Sequence, residues 1–123
     1  MNLKVLLIED EKILAKLLAA YLTEEGIHTV NAKSAADALN MIRSENFDIA
    51  ITDISLPDTS GDKLIPELAD IRKDLKFIIT TGDSSYEVPE ELLAFGVNND
   101  SVMHKPFSAA SILKKIRSMP LEQ

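Results

Sequence analysis

Short apolar runs alternate along this chain with longer stretches of helical period. The runs occupy residues 4–9, 28–32, 49–53, 76–81 and 101–104. Val5-Leu6-Leu7-Ile8, Ile49-Ala50-Ile51 and Phe77-Ile78-Ile79 are continuous rather than alternating. Continuity of that length fits strands covered on both faces. Residues 11–25, 34–45, 62–72, 87–95 and 108–118 predict helices. Leu14, Leu18, Tyr21, Leu22 and Glu25 recur at helical spacing in the first, with Leu17 on the flank. Ala35, Ala38, Leu39 and Ile42 do so in the second, and Ile112, Leu113 and Ile116 in the last. A strand followed by a helix, five times over, predicts an α/β fold. It is a doubly wound parallel sheet with right-handed crossovers and helices on both faces.

The punctuation residues agree with that order. Gly26 and Gly96 follow helices, where a left-handed cap is expected. Gly82 follows the fourth run, where a bulky side chain is expected to crowd the crevice. Pro66 is expected within about the first turn of its helix, where its missing amide hydrogen costs least. Ser34 is an expected N-cap, with Asp37 three residues on. A single domain is expected, with its core over about 3–118 and a frayed tail from Met119 to Gln123.

Composition narrows the class. A chain of 123 residues is long enough for one core covered on two faces. With no cysteine, disulfides and thiolate metal sites are excluded, and two histidines are too few for a histidine cage. No run approaches the roughly 20 apolar residues of a membrane span, and the start lacks a signal-peptide pattern. The expectation is a soluble, cytoplasmic protein. The net charge of −7 argues against nucleic acid as a direct partner.

The ends of the runs carry the candidate chemistry. The first runs into Glu9-Asp10, the third into Asp53, the fourth into Thr81-Gly82 and the fifth into Lys105-Pro106. Neighbouring parallel strands would bring these ends to one edge, where open α/β sheets build their sites. Adjacent carboxylates at a strand exit repel each other, and a hard divalent cation resolves that conflict. Glu9, Asp10, Glu11 and Asp53 are the expected acidic cluster. A carboxylate such as Asp53 is a competent nucleophile toward phosphorus. A hydroxyl and an ammonium, Thr81 and Lys105, suit the charge that spreads over a phosphoryl group in transfer. Alone, each is an ordinary loop or turn residue; together, at four strand ends, they are not.

The motifs Leu7-Ile8-Glu9-Asp10-Glu11, Asp53-x-x-Leu56-Pro57-x-x-x-Gly61, Thr81-Gly82 and Lys105-Pro106-Phe107, in this order, resemble the receiver domain of bacterial two-component response regulators. The resemblance runs from about residue 3 to residue 118. It implies a CheY-like, flavodoxin-like five-stranded parallel sheet in the order 2-1-3-4-5. It implies that Asp53 is the phosphoacceptor, served by a histidine kinase or a histidine phosphotransfer protein. By the same resemblance, Asp10 is the direct ligand of Mg²⁺ (or Mn²⁺) and Glu9 acts largely through water. Ser55 lends a backbone carbonyl, Thr81 turns its hydroxyl toward the phosphoryl group, and Lys105 pairs with a phosphoryl oxygen. The Lys105–Pro106 bond is expected to be cis. Phosphorylation is expected to reshape the surface of the fourth helix, fifth strand and fifth helix, which meets a downstream effector. A monomer, or a weak dimer formed on phosphorylation, is implied. The domain is a regulatory phosphoacceptor, not an enzyme acting on other substrates.

The chain departs from the pattern in places. Val102 stands where the family usually has Tyr or Phe, and a valine has no ring to rotate. The segment from Gly96 to Lys105 is longer than usual, which predicts a small insertion before the fifth strand. Asp83, Ser84, Ser85 and Pro89 are poor helix formers, so the fourth helix is expected to be short or late. Asp83, two residues after Thr81, can orient water or simply be solvated. His104 is expected to be structural, and Phe107 to be a packing residue. Ile13, Ala15, Ala19 and Ala20 leave the first helix apolar on its flanks, a feature of helix propensity or of a docking face. Two other functions compete. One is a pseudo-receiver that binds proteins without phosphorylation. The other is a Mg²⁺-dependent phosphatase, disfavoured because Ser55 occupies the place of its second acid. A flavin carrier is disfavoured because no phosphate-cradling loop follows the first strand.

Overall fold

The computed structural model describes residues 2–120. Five strands, β1 (Lys4–Ile8), β2 (His28–Ala32), β3 (Ile49–Asp53), β4 (Lys76–Thr81) and β5 (Val102–His104), form one sheet. Every pairing is parallel, and the order is β2-β1-β3-β4-β5. The helices are α1 (Lys12–Glu24), α2 (Ala35–Ser44), α3 (Gly61–Ile71) and α4 (Ala109–Ser118). Two 3₁₀ helices, η1 (Glu90–Phe95) and η2 (Asn99–Ser101), lie between β4 and β5.

The continuous runs are covered on both faces. Successive side chains of a strand point to opposite sides. Leu6 and Ile8 of β1, with Ala50, Phe77 and Ile79, meet Ala38 and Ile42 of α2 and Leu64, Ile65 and Leu68 of α3. Val5 and Leu7, with Ile49, Ile51 and Ile78, meet Leu18 and Leu22 of α1 and Ile112 and Ile116 of α4. Each such side chain, fully buried, contributes roughly 1.5–3 kcal/mol. This sandwich is what holds the strand ends on one edge.

Several local expectations need correction. In α1 the buried stripe is Ala15, Leu18 and Leu22; Ala15 belongs to the core and not to a flank. Ile13 and Leu17 are 70% and 65% exposed. Pro66 is the sixth residue of α3, one residue deeper than the expected start at 62 implies, so the carbonyl of Asp62 receives no bond from residue 66. The fourth helix is not an α-helix from residue 87: it is the six-residue η1, starting only at Glu90. Pro89 precedes it and Gly96, at φ 77°, ends it, which leaves too few residues for a stable α-helix. The insertion before β5 is η2, closed by reciprocal Asn98 and Ser101 caps. Met119 packs partly buried on the α1/α4 side rather than fraying, and Leu121, Glu122 and Gln123 lie outside the described residues. The caps at Gly26 and Ser34 form as expected, with the Ser34 hydroxyl accepting from the amide of Asp37.

Candidate functional site

Three strand ends and one loop build a charged crevice. Glu9 follows β1 and is buried; its amide donates to the Ala32 carbonyl at 3.0 Å. One carboxylate oxygen of Glu9 accepts from the Glu11 amide at 3.1 Å. The other accepts from the Lys105 ammonium at 3.2 Å. Asn31 on β2 donates to the carbonyls of Leu7, Glu9 and Ala32, fastening the two strand ends together. Asp10 is exposed beside them.

Asp53 closes β3 and is buried. Its Oδ2 accepts from Lys105 Nζ at 3.0 Å, and its Oδ1 accepts from the Ser55 amide at 3.3 Å. Gly61, the first residue of α3, lies directly on Asp53. A Cβ there would fall 2.1 Å from the Asp53 carbonyl oxygen. A side chain at position 82 would meet nothing within 4 Å, so the crowding expected at Gly82 belongs to Gly61. Ser55 and Ser60 form a bridge, and Asp58 between them reaches α2. The Asp58 carboxylate accepts from the amides of Ala35 at 2.9 Å and Ala36 at 3.0 Å. Those bonds hold the Asp58 carboxyl below its ordinary pKa.

Thr81 ends β4 and is buried; its hydroxyl accepts from the Asp83 amide at 3.1 Å. The Lys105 amide donates to the Thr81 carbonyl at 2.8 Å, which extends the β4–β5 ladder to the lysine. The Lys105–Pro106 peptide is cis, as expected. Asp83 is exposed, and bonds from Ser85 hold its carboxyl below the ordinary range. His104 is exposed on β5, and Phe107 packs partly buried against the α1/α4 core.

One carboxylate oxygen from each of Glu9, Asp10 and Asp53 lies within 4.8 Å of the other two. Glu11 is not with them: its carboxylate caps α1, accepting from the amides of Ile13 and Leu14 at 3.2 and 2.7 Å. Burial, with the charge of Asp53, pushes the Glu9 carboxyl above its ordinary pKa, although the Glu11 amide and Lys105 oppose this. Burial alone would lower the Lys105 ammonium, but Asp53 and Glu9 outweigh it and hold it above its ordinary value. Three carboxylates against one ammonium leave surplus negative charge. An all-oxygen donor set of this kind fits a hard divalent cation.

Two ties escape a residue-by-residue reading. One is Asp58 on α2. The other is the Tyr86 hydroxyl, which donates to Asp62 at the start of α3 at 3.0 Å. An aspartate in a turn and a tyrosine in a loop give no local sign of a partner more than twenty residues away.

An open α/β sheet carries, at the carboxyl ends of its strands, a carboxylate cluster and a lysine whose donor set suits a divalent cation. The model of the response regulator receiver domain matches residues 5–117, and the chain belongs to that family. Such domains serve two-component signalling. The chain is 30% identical over 112 residues to the transcriptional regulatory protein GlrR of Escherichia coli, covering 91% of this chain and 25% of that protein. It spans about a quarter to a half of the length of the curated relatives it matches. Among solved structures it resembles the response regulator TrrA of Thermotoga maritima in complex with Mg²⁺ and BeF, at 27% identity and a TM-score of 0.76. The match covers 94% of this chain and 96% of that one. It also resembles a Burkholderia pseudomallei response regulator with a phosphorylated aspartic acid, a calcium ion and citrate. There the identity is 28% and the TM-score 0.82, covering 94% and 67% of the two chains. No helix among the described residues is long and apolar enough to cross a membrane.

Proposed function

We propose that the chain is a single receiver domain whose Asp53 accepts a phosphoryl group. The donor in this reading is the phosphohistidine of a histidine kinase or phosphotransfer protein in the cytoplasm. The observation that carries the reading is the buried Asp53 carboxylate, 3.0 Å from Lys105 Nζ and within one cluster with Glu9 and Asp10. One Asp53 oxygen forms a bond to phosphorus while the phosphorus–nitrogen bond of the donor breaks. The electron pair stays on the imidazole nitrogen, which takes a proton, and the product is an acyl phosphate.

Glu9, Asp10, Asp53 and the Ser55 carbonyl would hold Mg²⁺ or Mn²⁺, which would offset the charge of the phosphoryl oxygens when bound. Lys105, already bonded to Asp53, moves its ammonium to a phosphoryl oxygen. Thr81 turns its hydroxyl to another. The Ser55 amide keeps Asp53 Oδ1 oriented. The added charge of about −1.5 to −2 then favours a second packing of η1, β5 and α4 that a downstream effector reads. The domain remains a monomer, or dimerises weakly on phosphorylation, and catalyses nothing beyond its own phosphorylation and dephosphorylation.

Incubation with Mg²⁺ and a small phosphodonor should add the mass of one phosphoryl group, and Asp53→Asn should abolish the gain. No gain from any donor, with the fold intact, sinks this reading.

A further inference from the structure

The hydrogen bond between Tyr86 and Asp62 joins the segment that leaves β3 to the loop that leaves β4, one residue beyond the Gly61 that lies on Asp53. One loop leaves β3, carries Ser55 and Ser60, and runs into the first turn of α3 with Asp62. The other leaves β4 and carries Thr81, Asp83 and Tyr86. Asp62 accepts from both: from the Ser60 hydroxyl at 2.5 Å on one oxygen and from the Tyr86 hydroxyl at 3.0 Å on the other. Ser60 is in turn bridged to Ser55.

The second loop is built to move as one piece. The Thr81 hydroxyl accepts from the Asp83 amide at 3.1 Å. The Asp83 carboxylate accepts from the amide and the hydroxyl of Ser85, at 2.9 and 2.7 Å. The Tyr86 amide donates to the Asp83 carbonyl at 3.1 Å and closes the turn. A change at the Thr81 hydroxyl therefore pulls on a small closed turn whose far end is Tyr86. The ring of Tyr86 packs half-buried against the α2/α3 core. Its phenol is held well above its ordinary pKa by burial and by Asp62, so it is a lasting donor at any physiological pH.

The geometry points to Tyr86–Asp62 as a latch. It fastens the Thr81 loop to the first turn of α3 and passes the state of Asp53 to the cleft between α3 and η1. This inference rests on Asp53 being the phosphoacceptor. It places an aromatic ring in the β4 loop, on the same core that Val102 of β5 packs against. Asp62, Pro66, Pro89 and Leu92 line a cavity of about 400 Å³ in that cleft. Release of the latch changes one wall of it. Turning Thr81 toward a phosphoryl group must shift the fastened turn, so the latch opposes that step.

The test is the Mg²⁺-dependent affinity for beryllofluoride, a phosphoryl mimic, in wild type, Tyr86→Phe, Asp62→Ala and the double variant. Tyr86→Phe keeps the ring and loses only the hydroxyl, so the fold is retained. Both single variants and the double should bind the mimic about fivefold more tightly, the worth of one net hydrogen bond. The double should match Asp62→Ala, because that variant has already lost the Tyr86 contact along with the Ser60 bond, so Tyr86→Phe adds nothing to it. A purely structural tie would lower the melting temperature and leave the affinity unchanged. Unchanged or weaker binding by Tyr86→Phe, or factors that multiply in the double variant, overturns the latch. A wild type that binds no mimic removes the phosphoacceptor reading and the latch with it. Binding by the wild type without any effect of Tyr86→Phe removes the latch alone.

Discussion

Lys105 Nζ lies 3.0 Å from Asp53 Oδ2 and 3.2 Å from Glu9 Oε1, so one ammonium is shared by two buried carboxylates. The sharing couples charge balance to chemistry. Lys105→Met should tighten divalent-cation binding several-fold, because the carboxylates lose the ammonium that now offsets them. It should also slow phosphoryl uptake by about tenfold or more, because the ammonium no longer meets the developing charge. Calorimetric titration with Mg²⁺ and the rate of mass gain from a small phosphodonor separate the two effects. A variant that loses metal affinity and uptake together would contradict this account.

Glu9 carries a raised pKa, so its favourable contribution to folding is present below about pH 4.3 and is lost as the pH rises through its folded value. At neutral pH its ionised form is a burden that a cation relieves. Mg²⁺ should therefore raise the melting temperature, by the equivalent of about 2.7 kcal/mol at a hundred times its dissociation constant. The rise should shrink toward pH 4.5, and Asp10→Asn should reduce it at neutral pH. Thermal scans with and without the cation at several pH values provide the measurement.

Gly61→Ala should destabilise by about 3 kcal/mol, since the new methyl would overlap the Asp53 carbonyl. Gly82→Ala should stay within about 0.5 kcal/mol, since nothing stands within 4 Å and the residue is not at positive φ. Denaturant unfolding of the pair distinguishes the crowded glycine from the open one. Equal losses at both positions would refute the packing described.

Asp58→Ala should lower stability at neutral pH, because two α2 amides lose their acceptor. The sign follows from the lowered pKa: the contribution is present above the unfolded value, about 3.9, and disappears as the pH falls through the folded value. The wild type and the variant should therefore converge in acid. A difference that persists at pH 2 would assign the effect to something other than the carboxylate.

Much of the fold can be read locally. β1, β3 and β4 are continuous apolar runs of period-independent burial, and only a sheet covered on two faces accepts them. Glu9, Asp10, Asp53, Thr81 and Lys105 are legible as strand-end residues because a parallel sheet puts all its carboxyl ends on one edge. The stop of η1 after six residues is also half visible in Pro89 and Gly96. It is harder to see there that the turn would tighten to a 3₁₀ helix, since that depends on how much length the β4 loop consumes first.

By itself, then, the sequence determined the order of elements, the two-sided sheet and the set of residues delivered to its edge. These follow from periodicity and punctuation, which act over a few residues. Only the tertiary structure decided which neighbours share that edge. It turned Glu11 away to cap α1 while Asp10 stayed beside Glu9, and it pressed Gly61 rather than Gly82 against the site. It also joined Asp58 to α2 and Tyr86 to Asp62. Each of these is fixed by where a loop lands after the helices pack, a contact between positions distant in the chain that local preferences do not encode.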